Sequence, residues 1–185
     1  MRATSVLMEE HRLIERVLAV LETAAERLRA GEAIEPSFFL RAAEFVKGFA
    51  DGCHHQKEEG VLFPALETAG LPREGGPVGV MLMEHDEGRR LNAAMRAGAE
   101  RLAAGDASAR SEIARSALDY VALLRSHIAK EDRVLFPMAD EVIRGQAQDA
   151  MMREFERVER EEAGAGVHGR YLALAASLER EMARS

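Results

Sequence analysis

Apolar residues return every three or four positions along most of the chain. Between about Ala3 and Arg29 they are Val6, Leu7, Leu13, Ile14, Val17, Leu18 and Leu21, the spacing of one face of an α-helix. Thr4 or Ser5 is placed to cap its start, and Gly31 to end it. A second helix opens at Glu35-Pro36-Ser37, where an early proline costs little, and carries Phe38, Phe39, Phe45, Val46, Phe49, Leu62 and Phe63. Pro64 is expected to end or kink it. The segment from Ala69 to Pro77 is dense in Gly and Pro and reads as a connection. A third helix runs from near Val78 to about Ala104, where Gly105-Asp106 stops it. A fourth starts near Ser108 or Ser111, carries Ile113, Leu118, Val121, Leu124, Val134 and Leu135, and continues past Pro137 to about Arg144.

Four long helices with short connections predict an all-α protein, an up-down-up-down four-helix bundle over residues 1–145. Residues 146–185 read as a helical C-terminal extension, broken at Gly164-Ala165-Gly166. Its last segment has too few apolar residues (Leu172, Leu174, Leu178, Met182) to fold alone, so it is expected to pack on the bundle.

Charge and composition narrow the function classes. The formal net charge of −7 offers no bulk attraction for a phosphate backbone, so no nucleic-acid partner is expected. Cys53 is the single cysteine, which excludes an internal disulfide and fits a reducing compartment. No apolar run is long enough to cross a bilayer and no leader pattern opens the chain. The expectation is a cytoplasmic protein without a membrane partner.

The informative polar residues interrupt the apolar pattern, and they repeat. His54-His55-Gln56-Lys57-Glu58-Glu59-Gly60-Val61-Leu62-Phe63-Pro64 returns as His127-Ile128-Ala129-Lys130-Glu131-Asp132-Arg133-Val134-Leu135-Phe136-Pro137, each position 73 residues later. Both copies contain His-x-x-x-Glu, which on a helix places two metal-binding side chains on one face, one turn apart. His55 and Glu59 share that spacing, but their equivalents are Ile128 and Asp132, so the repeat selects His54 and Glu58. The flanking acids read as solvated or as supports for the ligands. His11 and His85, 74 residues apart on the first and third helices, add one inward-facing imidazole to each hairpin. Four imidazoles and two carboxylates between four helices suit iron, manganese or zinc better than magnesium or calcium.

The set His11, His54, Glu58, His85, His127 and Glu131, with Leu-Phe-Pro after each His-x-x-x-Glu, resembles the hemerythrin-like, or HHE cation-binding, family over about residues 1–145. The resemblance implies a non-haem di-iron centre: two iron ions, oxo- or hydroxo-bridged, anchored by the four His and bridged by Glu58 and Glu131. Zinc and manganese are the other ions the donors admit. Oxygen-carrying members have a fifth His one turn away on the third helix, where this chain has Met81 and Arg89. The four-His, two-Glu set is closer to the non-carrier branches. These include proteins implicated in repair of iron centres, which usually add a Cys-containing N-terminal module not present in this sequence. Both metals would then be open to ligands. The expected function is redox chemistry on small oxygen or nitrogen species (O2, peroxide, NO), with an electron-donor protein as a further partner. The alternative is a non-enzymatic iron or O2 sensor, an O2-binding module or a metal store.

Further residues compete for a role at the centre. Glu15 lies one turn after His11 and faces either the site or a surface Arg. His168 and Tyr171, one turn apart in the extension, offer an extra ligand or a supporting donor, as do Glu161 and Glu162; the alternative is an ordinary polar helix surface. Cys53 reads as a small buried residue.

Overall fold

The computed structural model describes residues 2–163 and 166–184, and every regular element among them is helical. Helix α1 is Ala3–Arg29. Helix α2 spans 36–68; it is α-helical over Pro36–Phe45 and Phe63–Thr68 and π-helical over Val46–His55 and Glu58–Leu62. Helix α3 is Pro77–Ala103. A 3-10 turn, Ala107–Ala109, leads into α4 over 110–142, which is π-helical at Glu131–Leu135. In the extension, α5 spans 146–163 and α6 is Val167–Arg184. The expected break at residues 164 and 165 lies outside the described residues.

Helix α4 packs between α1 and α3, α2 lies against α3, and α6 lies across α1 and α2. Gly98 permits the close approach of α3 to α4, since a Cβ there would stand 2.8 Å from Ile113. Gly31, at a φ of +94°, turns the chain out of α1 as expected.

Two local expectations need correction. Thr4 and Ser5 do not cap α1: its N-cap is Arg2, and the Thr4 hydroxyl donates to Asp140 (2.9 Å), tying the start of α1 to the end of α4. Of the end or kink expected at Pro64, the end does not occur: α2 continues to Thr68. The wider π-helical turn Glu58–Leu62 comes just before it, relieving the clash that a proline ring makes with the carbonyl one turn back. The same device, Glu131–Leu135, precedes Pro137 in α4.

The core has two apolar layers. The larger holds Leu18, Leu21, Phe38, Phe45, Phe49, Met95, Ile113 and Tyr120, and the extension adds Tyr171, Ala175 and Leu178 to it. The smaller holds Leu7, Leu62, Phe63, Val78, Leu135 and Phe136, with Met151 and Phe155 from α5. Each fully buried Leu or Phe contributes about 1.5–3 kcal/mol relative to exposure. Every helix of the bundle crosses from one layer to the other, and at each crossing it carries a buried His: His11 follows Leu7, His54 follows Cys53, His85 follows Met81, and His127 follows Leu124. A polar stratum is thus held between two apolar ones.

Candidate metal centre

His11, His54, Glu58, His85, His127 and Glu131 all meet in this stratum, each at most 1% exposed. The two glutamates straddle the repeats. Glu58 places Oε1 3.6 Å from His54 Nε2 and Oε2 3.4 Å from His85 Nε2. Glu131 Oε2 lies 3.2 Å from both His11 Nε2 and His127 Nε2. Each carboxylate therefore faces one imidazole from each hairpin.

All four rings are held from behind in the same way. The Nδ1 atoms of His11, His54, His85 and His127 face Asp132 (2.8 Å), Glu10 (3.0 Å), Glu59 (2.7 Å) and Glu84 (2.9 Å) respectively. Each of these acids is gripped by a cation: Arg12 on Asp132, Lys57 on Glu10, Arg89 on Glu59 and Lys130 on Glu84. A carboxylate on Nδ1 fixes the neutral ring with its proton there and leaves the Nε2 lone pair pointing into the centre, the arrangement that orients metal-binding imidazoles. Phe136 stacks on His11 at 5.4 Å and Phe63 on His85 at 5.8 Å, walling the centre with apolar rings.

The donors fit metal ions. His11 Nε2, His54 Nε2 and both oxygens of Glu58 and of Glu131 are buried without a hydrogen-bond partner. Unpartnered buried polar atoms are costly, and charged ones more so. The Nε2 atoms of His85 and His127 are 3.2 Å apart. With both Nδ1 protons committed to carboxylates, two lone pairs face each other there, which is tolerable only with a cation between them, either a proton or a metal. Without metal, protons take that place. Burial alone would lower the pKa of His11, but Asp132 and Glu131 outweigh it and raise it to about 9. Burial likewise opposes the charge on His127, and the Glu131 carboxylate raises its pKa to about 10. Burial disfavours the charged form of Glu131, yet the facing imidazoles hold it well below the usual carboxylate range.

A seventh residue stands in the centre. His55 is 4% exposed, its Nε2 has no partner, and its ring stacks on His85 with centroids 3.8 Å apart and planes 13° apart. Donor atoms of His55, Glu58, His85 and His127 all lie within 4.8 Å of one another, as do those of His11, His54, Glu58 and Glu131. The repeat passed over His55 because a residue with no counterpart in the second copy is invisible to that comparison. Burial, then the neighbouring His85, keeps its pKa well below the ordinary histidine value. Beyond His55 a cavity of about 340 Å³ opens between α2 and α3, with Tyr120 and Asn92 in its wall.

The remaining candidates lie elsewhere. Glu15 pairs with Arg12 at the surface (3.2 Å). Tyr171 is buried against Phe45 and Phe49, and its hydroxyl occupies the space that a side chain at Gly48 would fill. Glu161 is exposed and pairs with Arg160, and the side chain of Glu162 lies outside the description. His168 reaches the supports rather than the donors: its Nε2 is 3.3 Å from Glu10 and its Nδ1 2.9 Å from Glu159. Cys53 is buried, and burial, with Glu10 adding to it, pushes its thiol up to about 12. Sequence reasoning missed Glu10, Glu84 and the supporting cations. The signal was present in part, since Glu10 and Glu84 share the offset of His11 and His85, and Lys57 and Lys130 share that of His54 and His127.

Comparison with known proteins gives one family. Residues 2–139 match the model of the Hemerythrin HHE cation binding domain. Uncharacterised proteins of Mycobacterium bovis and of Mycobacterium tuberculosis are each 30% identical over 158 residues, covering 85% of this chain and 61% of the relative. The chain thus spans under two thirds of the length of these curated relatives. No solved structure matches it. No helix among the described residues is long and apolar enough to cross a membrane. The chain belongs to the hemerythrin HHE cation-binding family, a family of metal-binding modules, and its buried cluster of His and Glu residues is consistent with a metal site.

Proposed function

We propose that the module holds two iron ions and performs redox chemistry on a small oxygen or nitrogen species: O2, peroxide or NO. The observation that carries the reading is the set of buried Nε2 and carboxylate atoms converging from all four helices, those of His11, His54, Glu58 and Glu131 without a hydrogen-bond partner, with Glu58 and Glu131 each facing both hairpins. His11, His54, His85 and His127 would hold the ions, with Glu58 and Glu131 shared between them. Iron held by these residues would supply one-electron redox chemistry. The chain does the rest: the carboxylates behind each ring fix its tautomer, and Phe63 and Phe136 exclude bulk water. Turnover needs electrons from outside, so an electron-donor protein belongs to this reading. Zinc or manganese in the same donors would give a module without that chemistry.

A second reading, reversible O2 binding or sensing, is favoured by one observation: His55 adds an imidazole to one side of the centre. An oxygen electrode with reduced, iron-loaded protein separates the two. Redox turnover predicts O2 loss that degassing does not reverse and that continues when reductant is added. Uptake limited to the amount of protein, and returned on degassing, supports the second reading and removes the first.

A further inference from the structure

We infer that His55 is a fifth imidazole ligand, supplied by the second helix of the bundle, and that it makes the two metal positions unequal. The inference rests on the two-metal reading above and adds to its ligand set.

His55 is built as the four other rings are built. Its Nδ1 faces Asp51 (3.4 Å), and Asp51 is held by Arg89 (2.7 Å), the imidazole–carboxylate–cation order seen behind His11, His54, His85 and His127. One guanidinium serves two rings, because Arg89 also grips Glu59 behind His85. The Nε2 left over is buried, unpartnered and among the donors of Glu58, His85 and His127. A buried imidazole kept only for packing has no need of a carboxylate and a cation behind it, whereas one that must present its Nε2 lone pair to a metal does.

The repeat supports the same conclusion by what it lacks. Seventy-three residues on, His55 becomes Ile128 and Asp51 becomes Leu124. Ligand and support are present together in one copy, and both are replaced by aliphatic residues in the other. Ile128 and Leu124 are ordinary core residues, 2% and 3% exposed. The polar pair is therefore not a requirement of the fold at this place in the helix. With His55 counted, the position beside His85 and His127 has three imidazoles, and the one beside His11 and His54 has two. A small ligand then has its open coordination position on the two-imidazole side.

The test uses the full chain loaded with iron. Mössbauer spectroscopy of the oxidised wild type is expected to give two doublets of equal area, and a single doublet would overturn the inference. Azide titration, followed by the charge-transfer band, reads the open positions directly. His55→Ala is expected to keep its iron and to bind one more azide per protein than wild type, and added imidazole is expected to restore the wild-type spectrum. An unchanged spectrum and azide stoichiometry in iron-replete His55→Ala would overturn it. Should that variant not fold, His55→Gln read in the same way, with the wild-type Mössbauer result, decides. A wild type that takes up no iron refutes the two-metal reading itself, an outcome distinct from either result on His55.

Discussion

The two helical hairpins build their halves of the centre from the same parts and bury them differently. Lys57 in the first and Lys130 in the second are equivalent residues, and each grips the glutamate behind a His-x-x-x-Glu imidazole. The Lys57 side chain is 0% exposed, held by Glu10 and by Glu159 of α5; that of Lys130 is 38% exposed. The extension causes the difference, since it covers the first half and leaves the second open. At Gly48 the first hairpin gives up a side chain to receive Tyr171, whereas the equivalent residue in the second is Val121. A pattern that looks twofold in sequence is thus one-sided in energy.

The sharpest way to break this comparison is to remove both lysines in turn. Lys57→Met leaves Glu10 buried without its ammonium and is expected to cost about 3–5 kcal/mol, the usual consequence of halving a buried ion pair. Lys130→Met removes a solvent-screened partner and should cost about 1 kcal/mol or less. Urea unfolding of both variants measures the gap; equal costs would mean that the extension does not enclose the first half. Next comes Gly48→Ala. Its Cβ would lie 1.6 Å from the Tyr171 hydroxyl, so the variant should lose about 1–3 kcal/mol, with Tyr171→Ala in the same chain recovering part of it.

His168 sharpens the comparison at the metal. It supports Glu10, which supports His54, and among the described residues no histidine backs Glu84 in the second half. His168→Ala is expected to keep both metals but weaken the first half-site about tenfold, the low end for losing an outer partner. Competition against a chelator would show it, and an unchanged affinity removes the extension from any role at the centre.

A last expectation is a pH dependence confined to metal-free protein. His11 and His127 have folded-state pKa values of about 9 and about 10, above the ordinary 6.5. A raised pKa stabilises the fold fully below 6.5, and that stability is lost as pH rises through 9 to 10. The melting temperature of metal-free protein should therefore fall from about pH 7 to pH 10, while that of loaded protein stays level over the same range. Parallel profiles for the two forms would contradict the proton-for-metal exchange.

Much of this was legible in the sequence, for reasons that also mark where legibility stopped. Helix positions followed from the apolar period, and the bounds of α1 are those the pattern predicts. The six donors converge because helical spacing and the repeat both constrain them. The supports were harder to read, because Glu10, Glu84 and Arg89 sit among many exposed acids and arginines, and only contact separates a support from a solvated charge. The course of α2 past Pro64 depended on a π-helical turn that no residue type announces. His55 was set aside by the very repeat that selected His54, since an asymmetric ligand has no partner in the other copy.

The most direct measurement is metal analysis of the wild-type chain purified without added metal, set beside Glu58→Ala/Glu131→Ala prepared in the same way. The expected result is two iron ions per wild-type chain, lost in the double variant while its helical circular dichroism is retained. A folded wild type that carries no stoichiometric metal, or a double variant that carries as much as wild type, would contradict the two-metal centre.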